Sequence, residues 1–167
     1  MVKKLHENPP QPQSNLVQLP LMGNVAIYTR VATQDKLPQS DLLSQVESLK
    51  QFAQTLGYTT EQITIFTDEG IQATAPLFER EGYTAPVSAI RSGKVNVLLI
   101  ADVSRLLQYA IEAQVSAFIH VCMEKGVYVA TPTHVYDFSN LTSVHQFRVA
   151  CMQAFQILQE AYASREN

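Results

Sequence analysis

Three arginines and an aspartate carry the chemistry that this sequence offers. Arg30 closes the stretch N-V-A-I-Y-T-R-V-A-T (residues 24–33), and Asp68 closes Q-I-T-I-F-T (62–67). Arg105 follows V-N-V-L-L-I-A (95–101), and Arg80 lies in the loop after Asp68. A guanidinium presents five donors in a planar fork and meets two anionic oxygens at once, so such a set suits phosphate or carboxylate. The bland alternative is that each arginine caps a strand edge or pairs with a surface acid. Spacing alone supports anion binding and nothing finer.

To converge, these residues must lie on one edge of a sheet, and the pattern supplies the elements. Val25 to Tyr28 and Val31 form a run too short for a helix and rich in β-formers, so it reads as a first buried strand. Ser40 is placed to cap a helix reaching about Leu56, with Leu42, Val46, Leu49, Ala53 and Leu56 on one face and Gly57 as its stop. A second strand spans 62–67. The long loop at 68–82 is a candidate active-site loop, and Pro86 suits the first turn of a short helix that Gly93 closes. The continuous apolar run at 95–101 reads as a central strand. Ile111, Val115, Phe118 and Cys122 mark a helix that Gly126 ends, and 127–130 is a further strand. The alternation predicts an α/β fold, a mostly parallel sheet of about four strands flanked by helices, with a long C-terminal helix. In such sheets the carboxyl edge binds ligands.

That last helix, residues 143–164, has an apolar face broader than one contact needs. Phe147, Cys151, Ala154, Leu158 and Ala161 form one stripe, and Val149, Met152 and Phe155 extend it. Docking on its own domain uses one stripe; the excess points to a second subunit, or to burial on two sides within one chain. Residues 1–23, with Pro9, Pro10, Pro12 and Pro20 among Gln and Asn, read as a disordered tail. The expected division is a tail at 1–23, a domain at 24–142 and a helix at 143–167.

At 167 residues and 46% hydrophobic content the chain suits one core. A formal charge of −3 excludes nucleic-acid binding through bulk positive charge, so any anion site is a local cluster. Cys122 and Cys151 fall in apolar helical patterns and read as reduced residues of a cytoplasmic protein. The four histidines are scattered and no metal-spaced pair occurs, so neither metal nor cofactor is expected. No apolar run reaches membrane-spanning length, and the first ten residues lack the apolar core of a signal peptide.

The order of motifs resembles the catalytic domain of serine site-specific recombinases, the resolvases, invertases and large serine integrases. Y-T-R-V-A-T is similar to the family's Y-x-R-V-S-T opening, and Gln45 with Val46 and Leu49 resembles the glutamine of its first helix. F-T-D-E-G-I resembles F-x-D-x-G-I-S-G, with Arg80 and Gly82 where R-P-G is usual. K-V-N-V-L-L-I-A-D-V-S-R-L resembles the strand leading into D-R-L-S-R. The resemblance runs from about Val25 to at least Asp137. It implies a fold in which a serine attacks a DNA phosphodiester while arginines neutralise the phosphate, and in which the last helix joins domains into dimers.

The departures fall on the chemistry. Ala32 stands at the position of the nucleophilic serine, Gln72-Ala73 where Ser-Gly is usual, Ser104 before the retained Arg105, and Gln108 at the second arginine. Gln159-Glu160 lies near the usual Glu-Arg pair. Arg30, Asp68, Arg80 and Arg105 remain as a phosphate cradle. Thr33 and Ser104 are weak substitutes; Thr33, next to Ala32 on a strand, points to the opposite face. The resemblance therefore implies a recombinase-family domain linked to DNA recombination, inactive or severely impaired. A second reading is a dimerisation or regulatory module pairing with itself, or with an intact recombinase, through Phe147, Cys151, Met152, Phe155 and Leu158. A third is a flavodoxin-like domain for a phosphorylated ligand, against which A-T-Q-D-K-L-P-Q offers no glycine. With the sequence ending at Asn167, no separate DNA-reading domain is expected, and DNA contact is expected to be weak and salt-sensitive.

Overall fold

Seven residues, Val25–Val31, form β1, and around it the chain alternates strands and helices. The structure, a computed structural model, describes residues 19–31, 38–69, 81–107 and 110–165. After β1 come helix α1 (Pro38–Thr55), a 3-10 turn (Thr60–Gln62), β2 (Ile63–Glu69), α2 (Glu81–Arg91) and β3 (Val97–Leu99). Then follow α3 (Val103–Leu107), α4 (Glu112–Lys125), β4 (Tyr128–Ala130), β5 (Val135–Asp137) and α5 (Leu141–Ala163). The sheet order is β2-β1-β3-β4-β5, parallel throughout except for β5. This is the expected α/β architecture, with β3 central.

The period of two along each strand divides the core into two layers. Val25, Ile27, Val97, Leu99 and Ala130 face one side and pack with Leu49 and Ala53 of α1. Ala26, Tyr28, Leu98 and Val129 face the other, with Ile90 of α2, Leu106 of α3, Phe118 of α4 and Phe147 of α5. With both faces covered, Val25 to Tyr28 have no exposed surface, which explains their continuous apolar run.

Several boundaries differ from the sequence expectation for physical reasons. β5 is a fifth strand beyond the four expected: three residues are too few to show alternation. It is fixed instead by a turn in which the Thr131 hydroxyl accepts from the amides of Thr133 and His134. Pro86 does not open its helix. The helix starts at Glu81, and Pro86 lies inside it. An interior proline costs about 3 kcal/mol, and burial of Tyr83 and Ile90 on the core offsets it. α5 begins at Leu141 because the Asn140 side chain accepts from the amides of Thr142 and Ser143, an N-cap not read from the sequence. Gly126 closes α4 as expected, with φ 65° and ψ 33°, a left-handed geometry that a Cβ would strain.

Residues 19–23, read from sequence as the end of a tail, are tied to the amino edge of the sheet. Tyr58 donates its hydroxyl to the Pro20 carbonyl, and the Gln62 amide donates to the carbonyls of Leu21 and Gly23. Leu19 packs beside the α1-side core.

Candidate phosphate site at the carboxyl edge of the sheet

Parallel pairing brings Arg30 and Asp68 into direct register at the ends of β1 and β2. Both are almost fully buried, at 3% and 1% exposure. Buried polar groups of this kind require specific partners. Tyr28, two residues before Arg30 and hence on the same face, donates its hydroxyl to Asp68 Oδ2 at 2.6 Å. The Arg30 Nε–H donates to the Arg105 carbonyl at 3.2 Å, and Arg105 Nη1 donates to the Arg30 carbonyl at 3.3 Å. Two arginines 75 residues apart thus clasp each other's main chain and join the end of β1 to α3.

α3 is itself held at its start. Asp102 Oδ1 accepts from the Ser104 amide at 2.8 Å and also from the Ser104 hydroxyl. The Ser104 hydroxyl proton is therefore engaged by Asp102. Arg105, next on the helix, is half-buried at the sheet edge.

Of the residues expected at the site, the structure brings together Arg30, Asp68 and Arg105, with Ser104 adjacent. Ala32, Thr33, Arg80, Gln72, Ala73 and Gln108 lie outside the described residues. Two further polar groups belong to this neighbourhood. Tyr28, read from sequence as an apolar strand residue, orients Asp68. Gln45 lines a cleft of about 180 Å³ with Ser44, Ser48, Leu49, Ala101 and Pro132, and its buried Oε1 meets no hydrogen-bond partner among the described residues. That volume falls below the roughly 300 Å³ at which small-molecule pockets begin.

In α5, Phe147 and Cys151 are buried in the chain's own core. Met152 is 59% exposed and Phe155 39%, and Ile157 is also exposed; the Leu158 side chain lies outside the described set. Arg148 pairs with Glu112 and donates to Ser116, joining α5 to α4. Burial pushes the Cys122 and Cys151 thiols up to about 12 and keeps both protonated. Among the described residues no three histidine, cysteine or acidic side chains form a metal-sized group, and no helix is long and apolar enough to cross a membrane.

Fold and site together define an α/β domain with a paired-arginine edge built around a buried tyrosine–aspartate bond. Residues 25–166 match the family model "Resolvase, N terminal domain", and the chain belongs to this family. Three solved structures share the fold. A resolvase family site-specific recombinase from Streptococcus pneumoniae has a TM-score of 0.57 at 20% identity, over 87% of this chain and 99% of its own. The N-terminal catalytic domain of TP901-1 integrase has a TM-score of 0.54 at 20% identity, over 86% and 99%. A serine recombinase from Sulfolobus solfataricus reaches 0.51 at 19% identity, over 85% and 88%. No curated protein matches the chain.

Proposed function

We propose that this chain is a non-catalytic or severely impaired recombinase domain that binds DNA phosphates and pairs through α5 with itself or with an intact recombinase. The observation that carries the reading is the residue two places after Arg30, where the resembled family has its attacking serine. Here it is Ala32, whose methyl has no nucleophilic atom. Loss of a nucleophile that works in concert with its partners removes nearly all turnover. Ser104 is a weak substitute because it lies beside Arg105 on α3 and not at the position two places after Arg30. Gln108, in place of an arginine, leaves the transition-state charge less well compensated.

The retained Arg30 and Arg105 support anion binding, and the exposed Met152, Phe155 and Ile157 support association.

Incubation with supercoiled and nicked DNA, followed by denaturation, tests the reading. The expected outcome is DNA retardation without any covalent protein–DNA adduct. An adduct would overturn it, and variants at Thr33 and Ser104 would then identify the nucleophile. Ala32→Ser alone is expected to fall short of full activity because Ser104 and Gln108 remain.

A further inference from the structure

We infer that a second copy of this chain docks on the flank shared by α4 and α5, where Ile111, Met152 and Phe155 surround the Arg148–Glu112 pair. The inference rests on the self-pairing reading above and specifies the face that does it. Helical spacing separates two flanks of α5. Phe147, Ala150, Cys151 and Ala154, at i, i+3, i+4 and i+7, form the stripe that docks on the chain's own core. Arg148, Met152 and Phe155, at i, i+4 and i+7, line the flank beside that stripe. Ile157 is two residues on from Phe155 and faces another way, next to Gln153 and Glu160. A single exposed apolar side chain of that kind is ordinary surface.

Arg148 shows what lies next to the first flank. It pairs with Glu112 and donates to the Ser116 hydroxyl, so the first turns of α4 run alongside. Ile111, the residue before Glu112, is 65% exposed at the head of α4. Two helices thus give apolar side chains to one patch around an ion pair. The patch suits its own copy. Contact about a two-fold axis brings the same surface to both partners, so an unbalanced charge would meet its like. Here Arg148 and Glu112 already cancel, although the chain as a whole carries −3. A neutral apolar surface offers little to a nucleic acid, whose binding draws on positive charge. Beyond Ala154 the described side chains of α5 are all exposed, so the end of the helix stands clear of its own domain and a partner can lie along it.

Sedimentation of the full chain over a range of concentrations tests the face, with thermal melting to confirm that each variant folds. Ile111→Glu is expected to weaken self-association roughly tenfold or more, because docking would bury an unpaired carboxylate. Ile157→Glu, the same change on the other flank, is expected to leave the dissociation constant within about twofold. Should Ile111→Glu fail to fold, Ile111→Gln takes its place and is expected to weaken association in the same direction. If Ile157→Glu weakens association as much as the Ile111 variant, or if neither weakens it, this face is overturned and pairing through α5 is left standing. A wild type that stays monomeric at every concentration would overturn this inference and self-pairing together.

Discussion

Asp68 and Arg30 are buried at the sheet edge because each meets specific partners, and Tyr28 is the clearest of these. Its ring fills the helix-rich core layer while its hydroxyl reaches Asp68 Oδ2. Tyr28→Phe keeps the packing and removes one donor from a carboxyl group that water does not reach. The expected loss is about 1–3 kcal/mol in urea unfolding. A loss below about 0.5 kcal/mol would show that other donors satisfy the carboxyl group without it. At this scale the sequence is informative about residue type and poor on pairing. Arg30, Asp68 and Arg105 are legible because each ends an apolar run, and the parallel fold brings such ends to one edge. The clasp is not legible, since main-chain carbonyls serve as its acceptors and any residue supplies one. Tyr28 counts in sequence as an apolar strand former, and nothing in its neighbours marks its hydroxyl as the donor to Asp68.

Helix α5 shows the same division at the scale of the element. Its broad apolar face is readable from periodicity, but the half belonging to the chain's own core is not. That depends on where β5 and α4 end. The structure separates the halves. Phe147 is fully buried, stacked on Phe118 at 5.8 Å and edge-on to Tyr136 at 5.2 Å and Phe138 at 5.1 Å, whereas Met152 and Phe155 reach solvent. Phe147→Ala is therefore expected to cost about 3–5 kcal/mol of stability. The double variant Met152→Lys, Phe155→Glu is expected to stay folded and to shift sedimentation toward the monomer. Unfolding of the double variant would place both side chains in the chain's own core. An unchanged sedimentation profile would remove α5 from any interface. The other unread features of the elements share a cause. β5 is short, Asn140 caps through geometry that many loop asparagines never adopt, and Pro86 sits where tertiary burial outweighs local preference.

Across the whole molecule the two sheet edges have different tasks. The carboxyl edge carries the arginines, and the amino edge, about 20 Å away along a seven-residue strand, carries the strap of residues 19–23. The strap gives the hydroxyl of Tyr58 and the amide of Gln62 their acceptors, and Asn24 continues it by donating its amide to Asn96 Oδ1. Gly23 is what allows this course. Its φ is 117°, and a Cβ there would come within 2.1 Å of Asn96 Oδ1. The proline- and glutamine-rich residues 1–18 have no apolar stripe to add to the core, whereas Leu19 packs beside it. Removing residues 1–18 is therefore expected to leave the melting temperature unchanged. Removing 1–23 strips Tyr58 and Gln62 of their acceptors and exposes the surface under Leu19. A loss of about 2 kcal/mol, or roughly 4–8 °C in a chain of this size, is expected. Gly23→Ala should move the melting temperature in the same direction, because the added methyl forces Asn96 away from the Asn24 amide. Equal melting temperatures for the two truncations would show that the strap adds nothing to the fold. A drop on removing residues 1–18 alone would show that the preceding segment docks as well.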